Sequence, residues 1–274
     1  MNRPQLSPPP AALDVALEPP GWRRSLHVLV ALARSDLLIR YGRGRWQIVN
    51  WFLGPFFLVG VYVLVRTILD VSGEAVGLSI ACAVVPFQIV FLSCTSAMRS
   101  VSLREPILLN RRFDRMLMPP SAVLTETLAF AASFVMFPIM MIVYWVGPTI
   151  GLLWLPVVVA VTLLLSLGAA WPFALLGVWA PNLQALAGQA LRLLFFAAPG
   201  LVALSEVSEG VYDWIVFNPF SGLFEAFRHV FLYGDAPAFW QLAYPAGLGV
   251  LLMAAFLPLY RREQRHFAKL VTSL

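Results

Sequence analysis

Apolar runs about 20 residues long alternate along this chain with short polar stretches. A run of that length, wound as a helix, crosses the roughly 30 Å hydrocarbon core of a bilayer. The runs predict spans at 48–69, 76–98, 121–146, 152–179, 183–204 and 239–260. They have no strand-like alternation of period two. The expected fold is therefore an all-α integral membrane protein with six transmembrane helices, its transmembrane domain covering residues 47–260, and no internal repeat is visible.

Three segments break the pattern of simple spans. Residues 1–21 are proline-rich and have no apolar run of signal-peptide length, so a disordered cytoplasmic tail is expected there. Residues 22–46 predict an amphipathic interfacial helix. At 100° per residue Trp22, Leu26, Leu29, Val30, Ala33 and Leu37 share one face, with Arg23, Arg24, His27 and Arg34 beside and behind it. The stretch 205–237 is too polar for a span and too apolar for a free loop, and Asn218-Pro219 punctuates it with a turn. It predicts a re-entrant helical hairpin on the outer side, where irregular backbone is tolerated only against protein or a water-lined cavity. Glu225 and Arg228, three apart, are placed to pair on one helix face of that hairpin.

Composition reinforces the membrane reading. Hydrophobic residues make up 60% of the 274 positions and charged residues only 12%, half the share of about 25% that covers a soluble domain. The net charge of +5 could suggest nucleic acid, but its placement argues for topology. Sixteen of the 19 Lys and Arg residues fall in the first 47 positions, in 99–118 and in the basic tail 261–274. Those regions lie on one side only if the number of spans is even, and cationic loops stay cytoplasmic. Both termini are expected inside, while Asp70, Glu74, Glu206, Glu209, Asp213 and Asp235 mark the outer loops. Trp46, Trp51, Tyr144, Trp145, Trp179, Trp240, Tyr244 and Tyr260 fall at span ends, as an interfacial aromatic belt requires. Of the ionisable residues in spans, Arg66 and Glu126 sit near span ends where snorkelling accounts for them. Arg192 is deeper and fits an aqueous path or an anionic substrate. Cys82 and Cys94, 12 positions apart in one run, are about 18 Å apart on a helix, beyond disulfide reach.

Recognisable catalytic chemistry is missing. The sequence has no phosphate-binding loop ending in Lys-Ser or Lys-Thr and no glycine-rich dinucleotide fingerprint. Its three histidines, His27, His229 and His266, lack metal-ligand spacing, and no serine sits in a nucleophile elbow. No catalytic residue, metal site or cofactor is expected on this chain. Uphill transport would draw its energy from a partner, because mid-span acidic or histidine relays of the kind that gradient-driven carriers use are not evident.

In order and spacing, these segments resemble the ABC-2 type permeases of polysaccharide exporters, the group that moves O-antigen, teichoic acid and galactan-like glycans. The amphipathic start leads into Asp36-Leu-Leu-Ile-Arg40-Tyr41, followed by Trp51, Pro55 and Tyr62. Asn110-Arg-Arg-Phe-Asp-Arg-Met-Leu-Met-Pro-Pro-Ser-Ala-Val-Leu124 looks like the coupling region and the start of the third helix, and Asn218-Pro219-Phe220 with Glu225 and Arg228 fits the outer hairpin. The family often has Phe-Pro-Arg-Glu where this chain has Phe113-Asp114-Arg115-Met116, so docking contacts would differ in detail.

The resemblance implies a homodimer with two copies of a separate ABC ATPase, which holds the ATP and Mg, in a bacterial inner membrane. The ATPase would dock on the 99–118 segment, at Arg104, Glu105, Ile107, Leu108, Leu109, Arg111, Arg112 and Phe113, and on the N-terminal helix. A lipid-linked polysaccharide would pass along the first and fifth spans, with Arg66, Arg192, Trp51 and Tyr62 as path candidates. Export of a drug or small lipid shares this architecture and is the alternative within transport. A membrane-embedded glycan-modifying enzyme is the alternative from another class, and would need an acidic or histidine cluster at one membrane face.

Overall fold

The computed structural model describes residues 21–41, 45–68, 73, 75–101, 114–264 and 267, and all regular elements among them are helical. In chain order they are α1 (Gly21–Tyr41), α2 (Arg45–Ile68), α3 (Val76–Ser100), α4 (Met118–Ser133) and α5 (Met136–Val143). Then come α6 (Leu155–Trp179), α7 (Gln184–Phe196), α8 (Glu209–Val216), α9 (Pro219–Arg228) and α10 (Phe239–Glu263).

Four helical stretches are long and apolar enough to cross a membrane: Val76–Ser100, Arg115–Val143, Ile150–Trp179 and Phe239–Glu263. Helix α2 has 24 residues, of which the apolar part Leu53–Ile68 is described in full. The centre is α3, whose apolar window is 78% buried against 11% for α10. Helix α6 packs between α3 and α10, α4 lies against α3, and α1 lies across α4.

Small residues set these crossings. A β-carbon on Gly168 would run into the Gly249 carbonyl of α10, and one on Gly177 into the Met98 carbonyl of α3. Without a strong hydrophobic drive between helices in lipid, such close backbone approach supplies much of the packing energy. Two apolar clusters fill the bundle. One is built on Phe87, Phe137, Phe224 and Phe227, and the other on Ala97, Met118, Trp171 and Tyr260.

Two expected spans are interrupted. The third breaks at Phe134–Val135, because Pro138 has no N–H to give the Phe134 carbonyl and its ring crowds that carbonyl. The fifth is not a continuous helix over 183–204. Helix α7 has 13 residues, about 20 Å, and stops before Pro199-Gly200. Pro199 biases Ala198 away from the helical region, and Gly200 packs where a β-carbon would strike the Phe195 ring.

The stretch 205–237 does form a two-helix turn. Asn218 caps α9, its Oδ1 accepting from the Phe220 N–H at 3.0 Å, with Pro219 in the first turn. Every residue of α9 from Phe220 to Arg228 is buried, whereas Val211, Trp214 and Phe217 of α8 and its end are exposed. On α1, Ala33 and Leu37 are buried, while Leu26 and Val30 of the expected apolar face stay exposed.

Candidate functional site

A groove runs between α3 and α7, with an outer compartment beside α2 and an inner one away from it. It has two compartments that meet at Phe91, Leu92 and Arg192. The outer one, about 350 Å³, is lined by Leu58 and Tyr62 of α2, Phe87 and Gln88 of α3, and Phe195 and Phe196 of α7. The inner one, about 520 Å³, is lined by Thr95, Ser96 and Arg99 of α3 and Gln184, Gly188 and Gln189 of α7. Among the described residues, no aspartate or glutamate lines either compartment.

The outer compartment is aromatic. Tyr62 stacks on Phe195 with ring centroids 5.4 Å apart, and meets Phe196 edge-on at 6.1 Å. Phe87 lies 4.8 Å from Phe195 and 5.6 Å from Phe91. Behind this wall, Phe220 and Phe224 of α9 pack on Phe87 and Phe195, so the hairpin buttresses the groove. Arg192 holds its guanidinium carbon 5.2 Å from the centroid of Phe91, a cation–π contact of about 0.5–2 kcal/mol.

The loop 197–206, which follows α7, is fastened at two points. Arg66, in the last turn of α2, donates to the Leu201 carbonyl at 2.9 Å and to Glu206 Oε2 at 2.8 Å. Arg228 of α9 is fully buried and donates to Glu225 Oε1 at 2.7 Å, to the Pro199 carbonyl at 2.8 Å and to Ser79 Oγ at 3.0 Å. The same Glu225 oxygen accepts the Leu204 N–H at 2.7 Å. Asn218 ties the start of α9 to α7 itself, its Nδ2 donating to the Leu194 carbonyl at 2.7 Å.

These contacts place the residues singled out from sequence. Arg192 and Tyr62 come together in the groove. Arg66 does not line it; it is buried in the fastening of the loop and does not snorkel. Glu126 does not snorkel either: it is buried, and its Oε1 accepts from Ser96 Oγ at 2.5 Å, beneath the inner compartment. Tyr260 leaves the expected aromatic belt. It is buried against Trp171 and Phe267, with its hydroxyl donating to the Arg115 carbonyl at 3.3 Å. Glu225 and Arg228 pair three apart on one face, inside protein rather than near lipid. Trp51 lies in α2, but its side chain is outside the described residues, as are Arg104, Glu105, Ile107, Leu108, Leu109, Arg111, Arg112 and Phe113.

Gln88, Thr95, Arg99 and Gln189 line the groove and were not singled out from sequence. A signal for them exists: Gln88, Thr95 and Arg99 recur at helical spacings of seven and four on one stripe of an otherwise apolar α3.

Comparison with known proteins bears on what this groove is. No protein-family model matches the sequence. The chain is similar to the O-antigen export system permease protein RfbA of Myxococcus xanthus, 25% identical over 88% of this chain and 94% of that protein. It is also similar to two proteins of the same name from Klebsiella pneumoniae. One is 21% identical over 89% of this chain and 95% of that protein, and the other 24% identical over 76% and 81%. The resemblance to polysaccharide-export permeases drawn from the sequence therefore stands, and the chain is a multi-pass membrane protein.

Proposed function

We propose that this chain is the membrane-spanning permease of an ATP-driven exporter that carries a lipid-linked polysaccharide across a bacterial inner membrane, and that the groove along α3 and α7 forms one wall of its path. The observation that carries this reading is the combination of that groove with the export-permease relatives. Its aromatic faces suit sugar rings, and its glutamines and hydroxyls suit sugar hydroxyl groups.

In this reading the chain crosses the membrane six times. The first crossing is α2 and the fifth is α7 with the loop that follows it. The others are α3, α4 with α5, α6, and α10. Both termini and the 99–118 segment face the cytoplasm, in keeping with the clustering of cations there. Helix α1 lies at the inner interface, and α8 with α9 re-enters from the outer side. Two copies of the chain enclose the path, and two copies of a separate ATPase, holding ATP and Mg, dock on α1 and on the segment with Arg104, Leu108 and Phe113. Closure of the ATPases would move α2 relative to α3 and α7 and pass the glycan outward.

Depletion of the protein in its host tests this directly. The lipid-linked glycan should accumulate on the cytoplasmic leaflet, and its normal arrival outside would refute the reading. The docking surface has its own test. Leu108→Asp should cut recovery of a co-purifying ATPase at least about tenfold, by placing a charge where an apolar ridge is to be buried. Undiminished recovery together with undiminished ATPase stimulation would remove that surface.

A further inference from the structure

Helix α5 closes through a strained residue. The Val146 N–H donates to the Met141 carbonyl at 2.9 Å and the Trp145 N–H to the Ile142 carbonyl at 3.3 Å, the paired pattern that ends a helix on a left-handed position. That position is Trp145, with φ of 56°. Glycine is the usual occupant, because a β-carbon there crowds the backbone. The Trp145 ring is 94% exposed, so packing within the chain does not offset the strain. Strain kept at one residue without internal compensation points to a contact outside the chain.

Trp145 borders a cavity of about 550 Å³, whose other walls include Pro138 and Met141 of α5, Leu152, and Phe231. Apart from the Trp145 indole N–H, no polar side chain among the described residues lines it. Pro138 lies five residues before the end of α5, so the cavity runs about 8 Å along the helix from its end. Phe231 belongs to a single π-helical turn, His229–Tyr233, that continues α9, and it stacks on Phe137 with ring centroids 4.0 Å apart. The same turn carries a charge beside the cavity. A β-carbon on Gly151 would lie 3.1 Å from the Asp235 nitrogen, so Asp235 follows the turn where it meets the loop leading to Leu152. The Asp235 side chain is 63% exposed, with Oδ1 2.5 Å from His229 Nδ1. Residues 138–152 and 229–238 contain no Lys or Arg and no other acid.

We propose that this cavity holds an acyl chain of a bilayer phospholipid whose headgroup bears a primary ammonium, with Asp235 accepting from that ammonium and Trp145 flanking the chain. The proposal requires that α5 crosses a bilayer, and not that the protein exports a glycan. An apolar space opening at the end of a spanning helix meets lipid, and a tryptophan there sits at headgroup level. Charge selects the headgroup. The acid beside the cavity has no Lys or Arg in either flanking segment, so it repels an anionic lipid and attracts a cationic group. A carboxylate has two oxygens, and Asp235 can meet His229 with one and an ammonium with the other. A primary ammonium donates such a charge-assisted hydrogen bond, whereas the methylated nitrogen of choline has no N–H to give.

Native mass spectrometry of the full chain tests this, after incubation in detergent with equal amounts of dioleoyl phosphatidylethanolamine and dioleoyl phosphatidylcholine. Both lipids are net neutral and share their chains, so the arginine-rich segments do not favour either. The wild-type chain should retain phosphatidylethanolamine about three- to tenfold more than phosphatidylcholine. Asp235→Asn should bring that ratio to about one, and Asp235→Glu should keep most of it. Equal retention by wild type, or a preference that survives Asp235→Asn, overturns the proposal. Equal loss of both lipids in Asp235→Asn marks a collapsed cavity and also overturns the role given to Asp235. Trp145→Gly tests the chain site without endangering the fold, because glycine suits a φ of 56° and the melting temperature should hold or rise. It should lower retention of both lipids about threefold or more by removing one wall, and undiminished retention places the chain elsewhere, against the proposal. Monomer and dimer masses are read in the same spectrum. Phosphatidylethanolamine carried by both supports the site, whereas lipid on the monomer that is lost from the dimer gives the cavity to a second copy and overturns it.

Discussion

Removing Arg228 should expose how much the fastening of the 197–206 loop is worth. Its guanidinium is fully buried and makes three hydrogen bonds, to Glu225, Ser79 and the Pro199 carbonyl. Arg228→Met fills similar volume but leaves the Glu225 carboxylate, 4% exposed, with the Leu204 N–H as its hydrogen-bond partner. Breaking a buried ion pair from one side costs about 3–5 kcal/mol. Unfolded membrane chains find other polar partners, which favours the lower figure, about 3 kcal/mol. The double variant Glu225→Gln with Arg228→Met removes both charges, and Gln can still accept the Leu204 N–H. What it loses are the bonds to Ser79 and to Pro199, whose carbonyl is left wanting at about 1–2 kcal/mol. The double variant should therefore be about 1–2 kcal/mol more stable than Arg228→Met alone. Equilibrium unfolding of the purified chain in mixed SDS and detergent micelles, followed by tryptophan fluorescence, measures all three. A cost below about 1 kcal/mol for Arg228→Met, or a double variant less stable than the single, would refute the reasoning.

Two further outcomes can be read in the same assay. Glu206 is 37% exposed, so Glu206→Gln should cost less than about 1 kcal/mol; Arg66→Met, which also strips the Leu201 carbonyl of its donor, should cost about 2 kcal/mol, and equal costs would contradict the assignment of Arg66 as the loop's second fastening. Gly168→Ala should destabilise by about 1–3 kcal/mol by forcing α6 away from the Gly249 carbonyl, whereas Gly247→Ala, which meets open space, should be neutral or gain up to about 1 kcal/mol from helix propensity; matching effects would remove the close crossing as a source of stability.

How far the sequence anticipates this arrangement depends on the range over which each signal acts. Apolar length is a local property, and it placed the three uninterrupted helices well: 76–98 against Val76–Ser100, 152–179 against a stretch ending at Trp179, and 239–260 against Phe239–Glu263. The Glu225–Arg228 pair was legible for the same reason, since three residues of helix settle the geometry by themselves. The interrupted spans misled because hydropathy averages over a break. Ala197, Ala198, Leu201 and Val202 keep the mean apolar across Pro199-Gly200, although that dipeptide ends the helix. The partners of Arg66 and Glu126 were illegible for a different reason. Glu206 lies 140 positions from Arg66, and Ser96 lies 30 from Glu126, so only the packing of the bundle brings them together. Snorkelling is the answer available when no partner is known, and it fails where one exists. The groove falls between these cases. Its stripe on α3 is periodic and can be read in advance, but that the stripe faces Arg192 follows from the packing of α7 on α3. In a membrane chain a polar stripe on an apolar helix marks where another helix or a guest must come. Which of the two it is depends on whether the charges opposite are already matched, and among the described residues no acid pairs with Arg192.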